Sequence, residues 1–177
     1  MNLKLFQKMI EDIGTKIPPD DDWMPVLIVE KEGKGIIFGL APEFMKNDRM
    51  KDVCAVLMSK TISMLKPDAA CFMSTAWMST LEKKQGEECA KSGVYPRPSL
   101  DPNRIEIVVC VCMGRKGESD GEIMMTGDIL RRRGKHPIIK KWKIHDSETE
   151  CSGRFPDAMR EGFDNPIVEE GEEWKTM

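Results

Sequence analysis

Cys110 and Cys112 stand two apart in the apolar run RIEIVVCVCM. On a strand both thiols point to one face. With two imidazoles, for example His136 and His145, they would make a tetrahedral zinc site. No second Cys-x-x-Cys or His-x-x-x-His cluster supports that chemistry. Cys-x-Cys in an apolar strand is more often a pair of small core side chains. Carboxylates offer a second chemistry. Asp20, Asp21 and Asp22 form an acidic loop, and Glu106, Glu122 and Asp128 fall on segments that read as strands. Gathered together they would hold a divalent cation for hydrolysis, because hard cations take clustered oxygen ligands. Kept apart they are solvent-facing positions on half-buried strands. The sequence has no G-x-S-x-G elbow, no G-x-x-x-x-G-K-[ST] loop and no G-x-G-x-x-G fingerprint. The expectation leans away from an enzyme, with no catalytic residue, no metal and no cofactor.

The sharpest feature is charge. RRRGKHPIIKKWKIH, residues 131–145, carries seven Lys and Arg and no acid. Residues 1–130 have a net charge of −3, and residues 146–177 a net charge of −7. A whole-chain charge of −3 hides this asymmetry. Two readings compete. The segment is a basic edge strand whose charge prevents edge-to-edge aggregation, with the acidic tail nearby to neutralise it. Alternatively, Arg131, Arg132, Arg133, Lys135, Lys140, Lys141 and Lys143 line a ridge for a nucleic-acid backbone, where each neutralised phosphate releases counterions. Trp142 would then stack on a base if exposed. Strict alternation along the strand puts Lys141, Lys143 and His145 on one face, and Ile138, Lys140, Trp142 and Ile144 on the other.

These residues need a scaffold. Leu3, Phe6, Met9, Ile10 and Ile13 recur at helical spacing, closed by Gly14. PVLIVEK (25–31) and GIIFGL (35–40) read as a hairpin joined by a glycine turn. A second helix starts at Asn47 or Asp48, either of which can cap it, and ends at Pro67. Its expected buried positions are Met50, Val53, Cys54, Leu57, Met58, Ile62 and Leu65. Strands follow at 70–78, 104–113, 122–130 and 138–144, with 79–103 read as a polar excursion. FPDAMREGF makes one helical turn or two.

Strands come in hairpins rather than alternating with helices. The expected class is therefore α+β, two-layer, with a mostly antiparallel sheet of about five to six strands and helices packed on one face. The crossover from 35–40 to 70–78 offers one parallel pair. The expected domain is 1–145, with 146–177 an acidic, partly disordered tail. At 177 residues the chain buries enough surface to fold without a staple. Its N-terminus lacks the apolar core of a signal peptide, and no apolar run reaches the ~18 residues of a membrane span. A cytoplasmic protein with reduced cysteines and no membrane contact is expected. The 14 Met residues read as core filler rather than a contact surface.

FMSTAWMS (72–79) followed by YPRPSLDPNRIEIVV (95–109) resembles a pattern of small uncharacterised bacterial and phage proteins. There a Ser-x-x-Trp strand end precedes a polar excursion and a Pro-Ser-x-x-Pro-x-Arg-x-Glu segment. The matching positions are Ser74, Trp77, Pro98, Ser99, Pro102, Arg104 and Glu106, and Thr75 stands where an acid is expected. The resemblance covers about a third of the chain, implies no established activity and transfers no catalytic residue. Read physically, Ser74, Trp77, Arg104 and Glu106 are a candidate groove. The function expected is a non-catalytic binding or interaction module, of phage or mobile-element origin. The alternatives are a nucleic-acid-binding protein using 131–145 and a divalent-metal hydrolase. The protein partner and the oligomeric state are left open.

Overall fold

A computed structural model describes all residues except Asp20, Thr80, Tyr95, 116–120, 146–150, Ser152, 168–177 and the side chain of Ser99. Among the described residues six strands form one antiparallel, curled sheet: β1 (Val26–Lys31), β2 (Lys34–Gly39), β3 (Ala69–Met78), β4 (Ile105–Gly114), β5 (Glu122–Arg132) and β6 (Lys135–His145). Their order is β2-β1-β3-β4-β5-β6. The helices are α1 (Leu3–Gly14), α2 (Asp48–Leu65), α3 (Lys83–Ser92) and α4 (Arg154–Asp164). The α+β class and the antiparallel sheet agree with the sequence reading. The parallel pair is not formed. β1 lies between β2 and β3, so the crossover spans one strand and lands antiparallel to β1.

The helices do not share one face. Alternate residues of the central strands feed two cores, which makes three layers. Ile28, Cys71, Met73, Val108, Cys110 and Met125 pack with Phe6 and Ile10 of α1. Leu27, Val29, Ala70, Phe72 and Val111 pack with Cys54, Met58 and Ile62 of α2 and Met159 of α4. β1 is buried on both faces from Val26 to Glu30, which is why PVLIVEK reads as a continuous apolar run rather than an alternation.

α1 begins at Asn2, whose Oδ1 accepts from Leu5 N at 3.1 Å. It lies inside the curl and reaches both edges. Met9 sits over Gly35 of β2, where a Cβ would come within 2.1 Å of its sulfur. Glu11 accepts the indole N–H of Trp142 in β6 at 2.7 Å.

α2 is capped by Asn47 (Oδ1 to Met50 N, 2.9 Å) and ends at Lys66 in the left-handed region before Pro67. Its buried stripe is Cys54, Ala55, Met58 and Ile62. Val53 and Leu57, expected in the core, are rotated to solvent at 43% and 45% exposure. The helix is apolar over more than one face, so spacing alone did not fix its rotation. α4 packs against α2, where a Cβ on Gly162 would stand 2.6 Å from Ser59 O. Residues 154–164 therefore belong to the folded domain, not to a tail. α3 was missed because it buries no residue and so carries no apolar stripe. Its start is set by a capping box of Glu82 and Gln85. No helix among the described residues is long and apolar enough to cross a membrane.

Among the described residues no two of the six cysteines are joined; five are buried and Cys89 is half-buried on α3. Burial pushes the thiols of Cys54, Cys71 and Cys151 up, and hydrogen bonding of the Cys71 S–H to Cys110 and Cys112 adds to the effect there. A thiol held neutral in the fold ionises more readily once unfolded. Stability should therefore fall as pH rises past the ordinary thiol range near about 8.5. Alkylation of native protein should modify Cys89 first, and all six should react after denaturation without reductant. Fewer than six in protein kept from air would show a disulfide and overturn this.

Candidate functional site

β3 is longer than the strand beside it. Its pairing with β1 ends at Val26↔Met73, whereas its pairing with β4 runs on to Met78↔Ile105. The phase of the ladder is fixed by Arg115 N, which donates to Asp68 O at 2.9 Å. Even-numbered residues of β3 thus bond β4, and odd-numbered ones face the β1 side. Beyond Val26 no strand among the described residues pairs with that side. The main-chain N–H and C=O groups of Thr75 and Trp77 have no strand partner there among the described residues.

This open edge borders a cavity of about 760 Å³. Trp23, Phe72, Trp77 and Phe155 supply apolar wall, with Phe72 and Phe155 stacked at 4.5 Å. Asp21, Asp22 and Glu106 supply acid. Trp23 is 4% exposed, and its indole N–H lacks a hydrogen-bond partner among the described residues.

The four groove residues expected from sequence do assemble here or at its rim. Trp77 and Glu106 are cross-strand partners. The Arg104 guanidinium lies over the Trp77 ring at 4.6 Å. Ser74 lines the cavity one residue past the end of β1. Sequence reasoning missed Thr75 as a contact, and missed Trp23 and Phe155. The overhang of β3 beyond β1 was countable from the two apolar runs, but the stack of Phe155 required α4 to be placed.

Arg131 is not part of a free basic ridge. Its guanidinium grips Glu106 through two bonds, 2.6 and 2.8 Å, and donates to Asp21 O at 2.8 Å. It fastens the acidic loop to the sheet. Trp142 is also withdrawn from the expected interface. It packs against the inner core and bonds Glu11.

The remaining cations are placed by irregularities of β6, which is an edge strand. Thr126 pairs Lys143 while Asp128 pairs Lys140, so β6 carries one extra residue opposite Gly127. Lys141 takes φ +53 there. This bulge resets the alternation. Ile139 and Trp142 face the inner core. Lys140 and Lys143 share the outer face with Asp128 and Thr126, and Lys141 pairs with Asp128 at 3.6 Å. The strict alternation expected from sequence, with Lys140 beside Trp142, is therefore corrected. Arg132, Arg133 and Lys135 are exposed at the hairpin tip. Behind Trp77 a second recess of about 520 Å³ reaches Asp128, Lys140 and Lys141.

No family model, no curated protein and no solved structure matches the chain.

The metal-ligand candidates are scattered. Glu106 pairs with Arg131, Asp128 with Lys141 and Glu122 with Arg160. Asp20 lies outside the described residues. Cys110 and Cys112 are buried in the inner core, His136 Nδ1 donates to Ile17 O at 2.6 Å, and His145 Nε2 lies 2.8 Å from Thr126 Oγ1. Among the described residues, no group of three or more such side chains could hold a metal.

Proposed function

We propose that the chain is a non-catalytic, cytoplasmic binding module that takes an extended peptide segment beside Thr75–Trp77. The observation that carries this reading is the unpaired edge of β3 at the floor of an aromatic groove. Strand addition supplies affinity through main-chain bonds and specificity through alternate side chains. Trp23, Phe72 and Trp77 favour apolar side chains, and Asp21 and Asp22 favour a Lys or Arg among them. Binders selected from a displayed library of random peptides test it. They should carry apolar residues alternating with at least one basic residue. Thr75→Pro removes an N–H that faces the groove and leaves the β4 ladder intact, and it should abolish their binding. Trp77→Ala should weaken them about thirtyfold, the cost of losing an aromatic anchor. Peptides that bind both variants as well as the natural chain would defeat the proposal.

A second reading rests on the bulge in β6. It brings Lys140, Lys141 and Lys143 together on an exposed face, which suits a polyanion backbone.

A further inference from the structure

The two edges of the sheet differ in how they are defended. β6 has Pro137, which lacks an N–H, two breaks of register and a row of cations. Each of these obstructs strand pairing. β2 has none of them. It is a six-residue strand, KGIIFG, with Ile36 and Ile37 exposed at 44% and 43%. Among the described residues it pairs with β1 alone.

The hydrogen-bond phase of that edge follows from the turn before it. Glu32 and Gly33 have φ of +53 and +72, and Lys31 pairs with Lys34. This is a two-residue hairpin turn with both central residues left-handed. Its flanking pair exchanges both main-chain bonds, so Lys34, Ile36 and Phe38 bond β1. Gly35, Ile37 and Gly39 then present their N–H and C=O groups outward.

We propose that β2 pairs with β2 of a second copy of this chain, antiparallel, with Ile37 opposite Ile37 of that copy. The register is set by symmetry. A two-fold axis perpendicular to the sheet keeps each residue on its own face, and opposed residues must share a face. Only registers that pair a residue with one an even number of positions away, or with itself, meet both conditions. Centring on Ile37 does so, and it places Gly35 opposite Gly39 of the second copy. Every outward group from Gly35 to Gly39 is then bonded. The two Ile37 side chains meet on the α1 side, and Ile36 meets Phe38 of the second copy on the α2 side. Lys34 falls opposite Leu40 of the second copy, so the two lysines are held at opposite ends of the ladder. A foreign strand need not offer this match of phase, face and charge. Because β6 cannot pair in turn, association closes at two copies rather than growing into a fibre.

Sedimentation velocity and light scattering over a concentration series up to about 1 mM test this. The natural chain should pass from one chain mass to twice that mass. Ile37→Lys and Ile37→Pro should both stay at one chain mass with unchanged circular dichroism. The proline removes only an outward N–H. Ile138→Lys, on the opposite edge, should still dimerise. Amide exchange of the natural chain gives a readout that needs no variant: the Gly35, Ile37 and Gly39 amides should gain protection as the mass doubles. A single chain mass throughout the series would overturn the proposal. So would a dimer that survives both Ile37 variants, or one that leaves these three amides unprotected.

Discussion

Phe6→Ala should destabilise the protein by about 3–5 kcal/mol, whereas Leu57→Ala should cost less than about 1 kcal/mol. Both residues are large and apolar, and both stand on helical stripes. Phe6 is fully buried on α1, inside the curl, against residues of β1, β3, β4 and β5. Removing its ring leaves a cavity that a sheet curled around a helix cannot collapse to fill. Leu57 is 45% exposed, so its truncation forfeits little burial. Urea denaturation of the two variants, compared at equal m-value, gives the two costs. If Phe6→Ala costs no more than Leu57→Ala, α1 is a peripheral helix and the inner core does not depend on it.

The contrast marks what the sequence could and could not convey. The apolar spacing of α1 and the cap at Asn47 were plain, as were the strands and their hairpin connections. What spacing could not convey was the side of the sheet each helix takes, because β1 and β3 are apolar on both faces. It also could not choose among the apolar faces of α2. α3 carried no signal, since a helix that buries nothing has no periodic stripe. The groove was legible in its four residues but not in its use. Trp77 and Glu106 meet only through the register of β3 on β4, and Arg131 was read as surface charge until Glu106 claimed it. Alternation failed on β6 because one extra residue at the bulge exchanges the two faces.

That exchange decides how the basic hairpin should behave. If it binds nucleic acid, Lys140→Gln, Lys141→Gln and Lys143→Gln together should lower the slope of log K against log salt by about two to three units, at roughly 0.7–0.9 per lost phosphate contact. Between 50 and 200 mM salt those three contacts account for a loss of about one and a half orders of magnitude in affinity. Lys141 still counts despite Asp128, because an exposed pair at 3.6 Å is worth little and a phosphate displaces it readily. Trp142→Phe should leave the affinity unchanged, since the indole points to Glu11 and not to the ligand. Base stacking by an exposed Trp142 would have predicted a clear loss. The acidic tail enters the same experiment, but residues 146–177 cannot be deleted as a block, because α4 buries Met159 in the outer core. Deleting 168–177 removes four acids and one lysine and leaves α4 whole. If those acids screen the lysines, this shorter chain should bind a labelled oligonucleotide more tightly, by fluorescence anisotropy at several salt concentrations. If neither form binds at low salt, the lysines serve with Pro137 and the bulge to keep β6 from pairing, and β2 is the outer edge of the sheet left open to a second chain.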